Sequence, residues 1–310
     1  MNNIKTAPCV SVITIVYNGA RFLQAAIDSI LGQTFTDFEY VIVDDGSTDE
    51  TPAILSQYAD PRIVLVRHAA NKGVITSRND ALAVAKGDYI ANLDADDVAY
   101  PQRLEKQVAF LRAHPQVGLV GSWVEQISQE GTPCGQLHPP TDHRSIVDAC
   151  VGENPFTHSS IMFERQAALA LGGYPVAYEW GEDFALCMEI SRVRQVANLD
   201  EVLVQLRLHP DQHSHWSRRL GLRKRGWVDL RKLALEHPQL SAPARHQGRR
   251  ALAHAYLDYA VYLTTDGTRQ DALKQLALAV LTSPGAVLGK ENRRNFARTL
   301  SICFGFRRST

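Results

Sequence analysis

The sequence predicts an α/β fold with a mainly parallel sheet flanked by helices, followed by a helical C-terminal region. Two observations carry this prediction. β-branched apolar runs alternate with helical segments through the first half of the chain, which is the pattern of βαβ units. Strand signals become rare after Arg207, where Leu, Ala, Arg and Lys dominate. We therefore expect a sheet-based domain over residues 1–215 and a basic, mainly helical region over residues 216–310.

The individual elements follow from local residue patterns. Val10–Val16 is an almost continuous β-branched run, which is typical of a strand buried on both faces. Apolar residues at helical spacing then alternate with further short apolar runs. The next predicted elements, in order, are helix Arg21–Leu31, strand Phe38–Val43, helix Thr51–Tyr58, strand Ile63–Val66, helix Gly73–Ala85, strand Tyr89–Leu93, helix Pro101–Arg112, strand Val117–Val124 and, much later, helices Leu252–Leu263 and Ala272–Leu281.

Composition narrows the class of protein. The chain has 310 residues, of which 45% are hydrophobic and 21% charged, as in ordinary globular proteins. Met1–Val10 lacks the apolar core of a secretory signal peptide, and no uncharged stretch reaches the roughly 20 residues of a spanning helix. Five scattered cysteines without a CxxC motif indicate free thiols in a reducing compartment. We therefore expect a protein that is located in the cytoplasm or at the inner face of the membrane.

Charge is unevenly distributed along a chain whose formal net charge is zero. Residues 1–216 carry 15 Lys and Arg against 27 Asp and Glu, whereas residues 217–310 carry 18 against 6. Basic segments with apolar neighbours suit peripheral contact with an anionic membrane. The alternative is a solvated helical face that complements the acidic body. Nucleic acid is not an expected partner, because the sequence shows no recognised nucleic-acid-binding module.

A cluster of acids follows the fourth predicted strand. Alternate residues of an extended segment point the same way, so Asp94 and Asp96 can face one ligand. Their oxygens suit Mn²⁺ or Mg²⁺, which usually shares its coordination shell with substrate phosphates. The alternative is a solvated acidic loop or a helix cap at Asp97.

Three further polar segments admit both structural and functional interpretations. Asp44–Asp49 follows the second strand, where Asp-Gly favours a turn and the later residues can cap a helix, but Asp45 also lies at the same sheet edge as Asp94. Glu182 and Asp183 open an apolar helical stretch, as dipole-stabilising acids or as a general base. The segment from Arg207 to His213 is either a surface loop or a source of phosphate or metal contacts through Arg207 and His209.

Taken in order, these segments resemble the family 2 glycosyltransferases of the GT-A fold over roughly residues 8–215. Each motif is weak alone, but the ordered set is specific. The matching pieces are Val12–Asn18, Ser29–Thr34, Val43–Asp49, Asn71–Gly73, Ser77–Asn79, Gly87–Ile90, Leu93–Asp97, Gly172–Tyr174 and Gly181–Asp183.

The resemblance implies a role for each matching position. The nucleotide-sugar contacts it implies are Ile15 and Tyr17 along the base and ribose, Asp45 on the base, Lys72 and Arg78 on the nucleotide, and Asp94 near the ribose. The metal residues it implies are Asp96, Asp94 and His209. The catalytic residues it implies are Asp183, as the base that deprotonates the acceptor, and Glu182 as its partner. His158–Ser160 and Trp180 are expected to border the sugar and acceptor sites.

The implied activity is the transfer of a sugar, with inversion, from a nucleotide-diphosphate sugar to a hydroxyl of a glycan or lipid-linked acceptor in cell-surface polysaccharide synthesis. The nucleotide that the resemblance implies first is UDP. A bound Mn²⁺ or Mg²⁺ would stabilise the leaving diphosphate. One alternative is a haloacid-dehalogenase-like phosphohydrolase, because Asp94–Val98 fits its DxDxV motif, although three strands precede the motif here. The other is a non-catalytic nucleotide-sugar-binding module.

The chain departs from the family pattern at two places. Ile15 stands where the family often has proline, which removes some rigidity but no chemical group. Asp97 directly follows the Asp94–Asp96 pair, so the sequence leaves open which carboxylates bind the metal.

Overall fold

The computed structural model describes residues 7–210, 212, 220–290 and 292–304. These residues form two compact units. The first holds the described residues up to Ile146 together with Pro155–Ala177 and Glu182–Pro210. The second holds Val147–Asn154, Tyr178–Gly181 and the described residues after Pro210. The predicted boundary between residues 215 and 216 falls among residues 213–219, outside the described residues, and stays a prediction.

A single mixed sheet organises the first unit. Its strands are β1 (Val10–Val16), β2 (Phe38–Asp44), β3 (Ile63–Arg67), β4 (Tyr89–Asn92), β5 (Val98–Ala99), β6 (Val117–Ile127), β7 (Pro133–Leu137), β8 (Met162–Glu164) and β9 (Gln195–Arg207). Their order is β3-β2-β1-β4-β8-β6-β9-β5, with β7 added beside β6. The expected α/β class is confirmed.

The parallel part of the sheet comes from its first four strands, and a parallel β6–β9 pair lies beyond them. The remaining four pairings, made by β5, β7 and β8, are antiparallel. β1 is parallel to both β2 and β4, so the loops after these three strands emerge at one edge. The loops that carry Asp45 and Asp94 therefore lie at the same edge of the sheet, as predicted.

Seven helices are described in the first part of the chain: α1 (Ala20–Leu31), α2 (Thr51–Leu55), α3 (Val74–Val84), α4 (Arg103–Ala113), α5 (His143–Ala149), α6 (Arg165–Ala170) and α7 (Glu182–Val193). α1 buries Leu23, Ala26, Ile27 and Ile30, which recur at helical spacing, against the sheet.

A buried arginine on α4 hydrogen-bonds to the backbone near the sheet edge at which the loops after β1, β2 and β4 emerge. The guanidinium of Arg103, which is fully buried, donates to the Asn92 carbonyl at 2.8 Å and to the Ile161 carbonyl at 3.2 Å. Its Nε donates to Gln107, whose amide donates to the Ser160 carbonyl at 2.7 Å. This network holds the 3₁₀ turn His158–Ser160 beside the end of β4.

The second unit contains the helices α8 (Leu220–Leu235), α9 (Ala242–Asp266), α10 (Arg269–Thr282), α11 (Pro284–Leu288) and α12 (Arg293–Cys303). Ser241 and Thr268 cap α9 and α10 through hydrogen bonds to Ala244 and Asp271. A core of Leu252, Tyr256, Leu257, Ala260 and Leu276 joins the two helices. No described helix is both long and apolar enough to cross a membrane.

Candidate active site at the carboxyl edge of the sheet

The loops after β1 and β2 lock together at the sheet edge. Asn18 has a positive φ of 51°, and its backbone N–H donates to Ser47 Oγ at 3.0 Å. Its side-chain carbonyl accepts from the Thr48 N–H at 2.8 Å. The turn leaves Tyr17 49% exposed, while Ile15 within β1 is half-buried. Both predicted nucleotide contacts therefore lie at or next to this edge.

Asp45 is a buried anchor whose carboxylate has three donors. Its Oδ1 accepts from His68 Nδ1 at 2.7 Å and from the Lys72 backbone N–H at 2.9 Å, and its Oδ2 accepts from the Gly73 N–H at 3.0 Å. Burial by itself raises the pKa of Asp45, but these hydrogen bonds outweigh burial and lower it. The base contact predicted for Asp45 stays a prediction.

His68 extends this anchor towards Lys72. The His68 ring is almost fully buried, and its Nε2 lies 3.0 Å from Asp80 Oδ2. Lys72 Nζ lies 3.3 Å from the same oxygen, and about half of its side chain is exposed. No motif in the sequence marks His68 or Asp80 as functional, although His68 directly follows β3 at this edge of the sheet.

The three aspartates of the Asp94–Asp97 loop after β4 have different environments. The side chains of Asp94 and Asp96 are 40% and 27% exposed, whereas Asp97 is buried. Asp97 accepts hydrogen bonds from Ser159 Oγ and from the Arg207 N–H, the latter at 2.8 Å. Burial, reinforced by the neighbouring aspartates, raises the pKa of Asp97 well above its ordinary value. Asp97 therefore holds the loop, and Asp94 and Asp96 face outward.

Asp96 and His209 come together as the resemblance implied. His209 Nε2 lies 2.9 Å from Asp96 Oδ2, and the imidazole packs on Phe22 of α1 with ring centroids 4.9 Å apart. Burial and the charge of Asp94 raise the pKa of Asp96. Arg207, which the sequence offered as a phosphate contact, is buried instead, and its Nε donates to the Asp96 carbonyl at 2.9 Å.

A second cluster joins Arg78 on α3 to Glu182 on α7. Arg78 Nη1 donates to Glu182 Oε1, and both side chains are about nine-tenths buried. Arg78 Nη2 lies 3.3 Å from His158 Nδ1 and 3.7 Å from Asp94 Oδ1. Burial raises the pKa of Glu182 even beside the guanidinium. This cluster links Glu182 to Asp94, the first aspartate of the loop after β4.

His158 and Tyr174 complete the surroundings of Asp94. His158 Nδ1 lies 2.9 Å from Asp94 Oδ1, and its Nε2 lies 3.3 Å from the Tyr174 hydroxyl. Burial opposes ionisation of Asp94, but the adjacent His158 and Arg78 outweigh it and hold the pKa of Asp94 well below its usual range. Gly173 has a φ of 82°, and a Cβ there would lie 2.4 Å from Asn79 Oδ1, so only glycine lets Asn79 clamp the Tyr174 backbone.

Asp183 differs from its neighbour Glu182. Its side chain is half-buried in the first turn of α7, and no side chain of the described residues donates a hydrogen bond to its carboxylate. A carboxylate that no side chain among the described residues hydrogen-bonds is available to accept a proton, whereas Glu182 is hydrogen-bonded to Arg78.

The outward-facing donors fit a hard divalent cation that is shared with a ligand. Among the described residues, no group of three or more His, Cys, Asp or Glu side chains is placed to hold a metal ion. Mg²⁺ is usually bound by one or two carboxylates together with substrate phosphates. Among Asp94, Asp96 and His209, one or two carboxylates therefore fit an ion that a bound phosphate helps to coordinate, and the three residues do not form a complete protein cage.

The described architecture defines a class of protein. The fold is that of the GT-A glycosyltransferases, as two solved structures show. TarS from S. aureus with UDP-GlcNAc superposes with a TM-score of 0.64 at 17% identity, covering 96% of this chain and 91% of TarS. The mannosyltransferase PcManGT from Pyrobaculum calidifontis with GDP-Man and Mn²⁺ gives a TM-score of 0.61 at 22% identity, covering 96% and 86%.

Sequence comparison gives the family. The profile of glycosyl transferase family 2 matches residues 11–170, about half of the chain, and the chain belongs to this family. EpsE of Bacillus subtilis is 38% identical over 55% of this chain and 62% of its own length, so the match spans about three fifths of EpsE. The amylovoran biosynthesis glycosyltransferase AmsE of Erwinia amylovora is 28% identical over 70% of this chain and 80% of AmsE. The phosphohydrolase alternative loses its support.

Proposed function

We propose that this protein is an inverting, metal-dependent glycosyltransferase that moves a sugar from a nucleotide diphosphate to an acceptor hydroxyl. The observation that carries the proposal is the different state of two adjacent acids. Glu182 is buried and hydrogen-bonded to Arg78, whereas Asp183 is half-buried and, among the described residues, forms no ion pair within 4 Å. Asp183 is the general base in this scheme, and Glu182 is a positioning residue.

The surrounding residues supply donor binding. Ile15, Tyr17 and the Lys72 ammonium line the nucleotide, while Asp45 shapes this wall through His68 and the Lys72 backbone. Asp94 and Arg78, held by His158, face the ribose and the nucleotide.

Asp96, with Asp94 and His209, would hold Mn²⁺ or Mg²⁺. Such an ion stabilises the charge of the leaving diphosphate when it is bound. On the opposite side of the sugar, Asp183 accepts the proton of the attacking hydroxyl, and this opposed arrangement inverts the anomeric centre.

Structural neighbours and relatives support the substrate class. Solved structures contain TarS with UDP and with UDP-GlcNAc, and PcManGT with GDP-Man and Mn²⁺. We take UDP as the first nucleotide to test. AmsE is named for amylovoran biosynthesis, which supports a glycan or lipid-linked acceptor in polysaccharide synthesis. A cytoplasmic location with peripheral membrane contact through the basic C-terminal region completes the proposal.

Donor hydrolysis tests the proposal without a known acceptor. A panel of UDP- and GDP-sugars is incubated with the protein and Mn²⁺ or Mg²⁺, and thermal stabilisation and nucleotide release are measured with and without chelator. Proton NMR of the first sugar released from an α-linked donor should show the β-anomer. The α-anomer would contradict inversion, and donor binding without release under any condition would support a non-catalytic module.

Asp183→Asn is the matched active-site variant. It should keep metal-dependent thermal stabilisation by the donor but lose nucleotide release, because only the proton acceptor is removed. Full release by this variant would show that another group is the base.

A further inference from the structure

The second unit contains an open cavity of about 460 Å³ that donor binding does not explain. Two tryptophans, three cationic side chains and one carboxylate line it: Trp180, Trp227, Arg223, Lys224, Arg231 and Asp258. All six residues belong to the second unit.

The two tryptophans form one continuous aromatic wall. The rings of Trp180 and Trp227 lie with centroids 5.2 Å apart and planes tilted by 57°. A Cβ on Gly226 would lie 2.8 Å from the Trp180 ring, so this glycine lets Trp180 pack directly on α8. Tilted rings in contact leave no parallel slot for a flat base. They do offer apolar faces on which the C–H face of a sugar ring can pack.

The cationic side chains are incompletely neutralised. Lys224 pairs with Asp258 at 3.1 Å, while the Arg231 guanidinium lies 5.1 Å from the centre of the Trp227 ring. Arg231 Nε is buried and has no hydrogen-bond partner in the described part of the chain. Three cations against one carboxylate leave an excess of two positive charges. Burial also lowers the pKa of Arg231, as expected for a guanidinium that lacks full compensation.

We propose that this cavity binds an anionic saccharide, whose sugar ring packs on the tryptophans while its phosphate or carboxylate is held by Arg223 and Arg231. Guanidinium groups suit both anions because their planar donors match two oxygens at once. In the context of the proposed function, on which this step rests, the saccharide is part of the acceptor. Trp180 precedes Asp183 by only three residues in the chain.

Binding to defined probes tests the assignment directly. The probes are trigalacturonate and glucose 6-phosphate, compared with neutral maltotriose and with inorganic phosphate at matched ionic strength. Affinities are measured by calorimetry and by quenching of tryptophan fluorescence. We expect at least one anionic saccharide to bind about ten-fold more tightly than maltotriose and inorganic phosphate. Equal affinity for neutral and anionic probes, or no binding of either saccharide, overturns the proposal.

Variants on α8 distinguish saccharide binding in the cavity from nonspecific binding to surface charge. Arg231→Gln and Trp227→Ala should each weaken saccharide binding about ten-fold. Arg223→Gln provides a second test at another cationic side chain that lines the cavity. The control is Arg225→Gln, which removes the same charge from α8 at a side chain that is 66% exposed and pairs with Asp229. An equal loss in the control, or binding only to vesicles of anionic lipid, refutes the cavity as a saccharide site.

Donor turnover distinguishes the two proposals. Trp227→Ala should retain acceptor-independent nucleotide release while losing transfer that the anionic saccharide stimulates. If the saccharide binds but no donor releases nucleotide, the proposed function fails and the cavity assignment stands. If donors turn over while neither anionic saccharide binds, the cavity assignment fails and the proposed function stands.

Discussion

Replacing Glu182 by glutamine should destabilise the fold without removing the group that we assign to proton abstraction. The Arg78 and Glu182 side chains are only 10% and 8% exposed. Removing one partner of such a buried pair costs about 3–5 kcal/mol, because the other charge stays buried. The introduced amide would keep an acceptor atom, and Asp94 Oδ1 remains 3.7 Å from Arg78. We therefore expect the lower end, about 3 kcal/mol.

Urea unfolding followed by circular dichroism measures the loss in the free energy of unfolding that Glu182→Gln causes. A loss of about 3 kcal/mol corresponds to a fall of roughly 6–12 °C in melting temperature for a domain of this size. The matched control is Asp183→Asn, one residue along the same helix. Among the described residues, Asp183 forms no ion pair within 4 Å and no side chain donates a hydrogen bond to it, so its replacement should change stability by less than about 0.5 kcal/mol.

A double-mutant cycle isolates the pair itself. Arg78→Gln and Glu182→Gln should each be costly, and the double variant should cost clearly less than the two losses combined. If the losses add to within about 0.5 kcal/mol, the pair contributes no coupling and the argument is wrong. A destabilised Asp183→Asn protein beside a stable Glu182→Gln protein would reverse the assignment of the two acids.

Three further predictions follow from buried groups. Asp96→Asn should abolish the donor binding that chelator prevents. Asp97→Asn should retain this binding, because Asp97 is buried and both of its carboxylate oxygens already accept hydrogen bonds. Thermal shift with donor and Mn²⁺ compares the two variants. The pKa of Asp45 is lowered in the fold, so its stabilising effect is present above its unfolded value of about 3.9 and is lost as pH falls through the lower folded value. Asp45→Asn should consequently show a shallower loss of unfolding free energy between about pH 5 and 3. Arg103→Met should lower the unfolding free energy by about 3 kcal/mol or more in urea titrations, because two buried carbonyls and Gln107 lose their donor.

The predictable part of the fold is the part whose signals are local. β1 is a continuous β-branched run, and the structure gives it the predicted bounds Val10–Val16. α2 is shorter than predicted and ends at Leu55 instead of Tyr58. β5 and β8 have only two and three residues, which is too short for a residue pattern to register. Their pairing with distant strands makes the second half of the sheet mixed.

The candidate site also has one part that local sequence signals predict and another part that they do not. The acids and their edge of the sheet followed from strands that end in polar residues. The different states of Glu182 and Asp183 did not follow, because Arg78 lies 104 residues away in the chain and only the fold brings it to Glu182. His68 could have been found, because it follows a parallel strand at the functional edge. Nothing in the sequence of the Asp94–Asp97 loop, which holds three aspartates, indicates that Asp97 turns inward to meet Ser159 and the Arg207 backbone.

The composition of the second unit also bears on how the chain is made. Two of its segments, Val147–Asn154 and Tyr178–Gly181, are synthesised well before the helices that cover them. Asp148 accepts the Ser241 N–H, and Trp180 packs on Trp227. At about 5–20 residues per second, several seconds separate the emergence of these segments from that of their partners. During translation, Trp180 and its loop therefore stay uncovered until α8 has left the ribosome, and the second unit is complete only after α12 has followed.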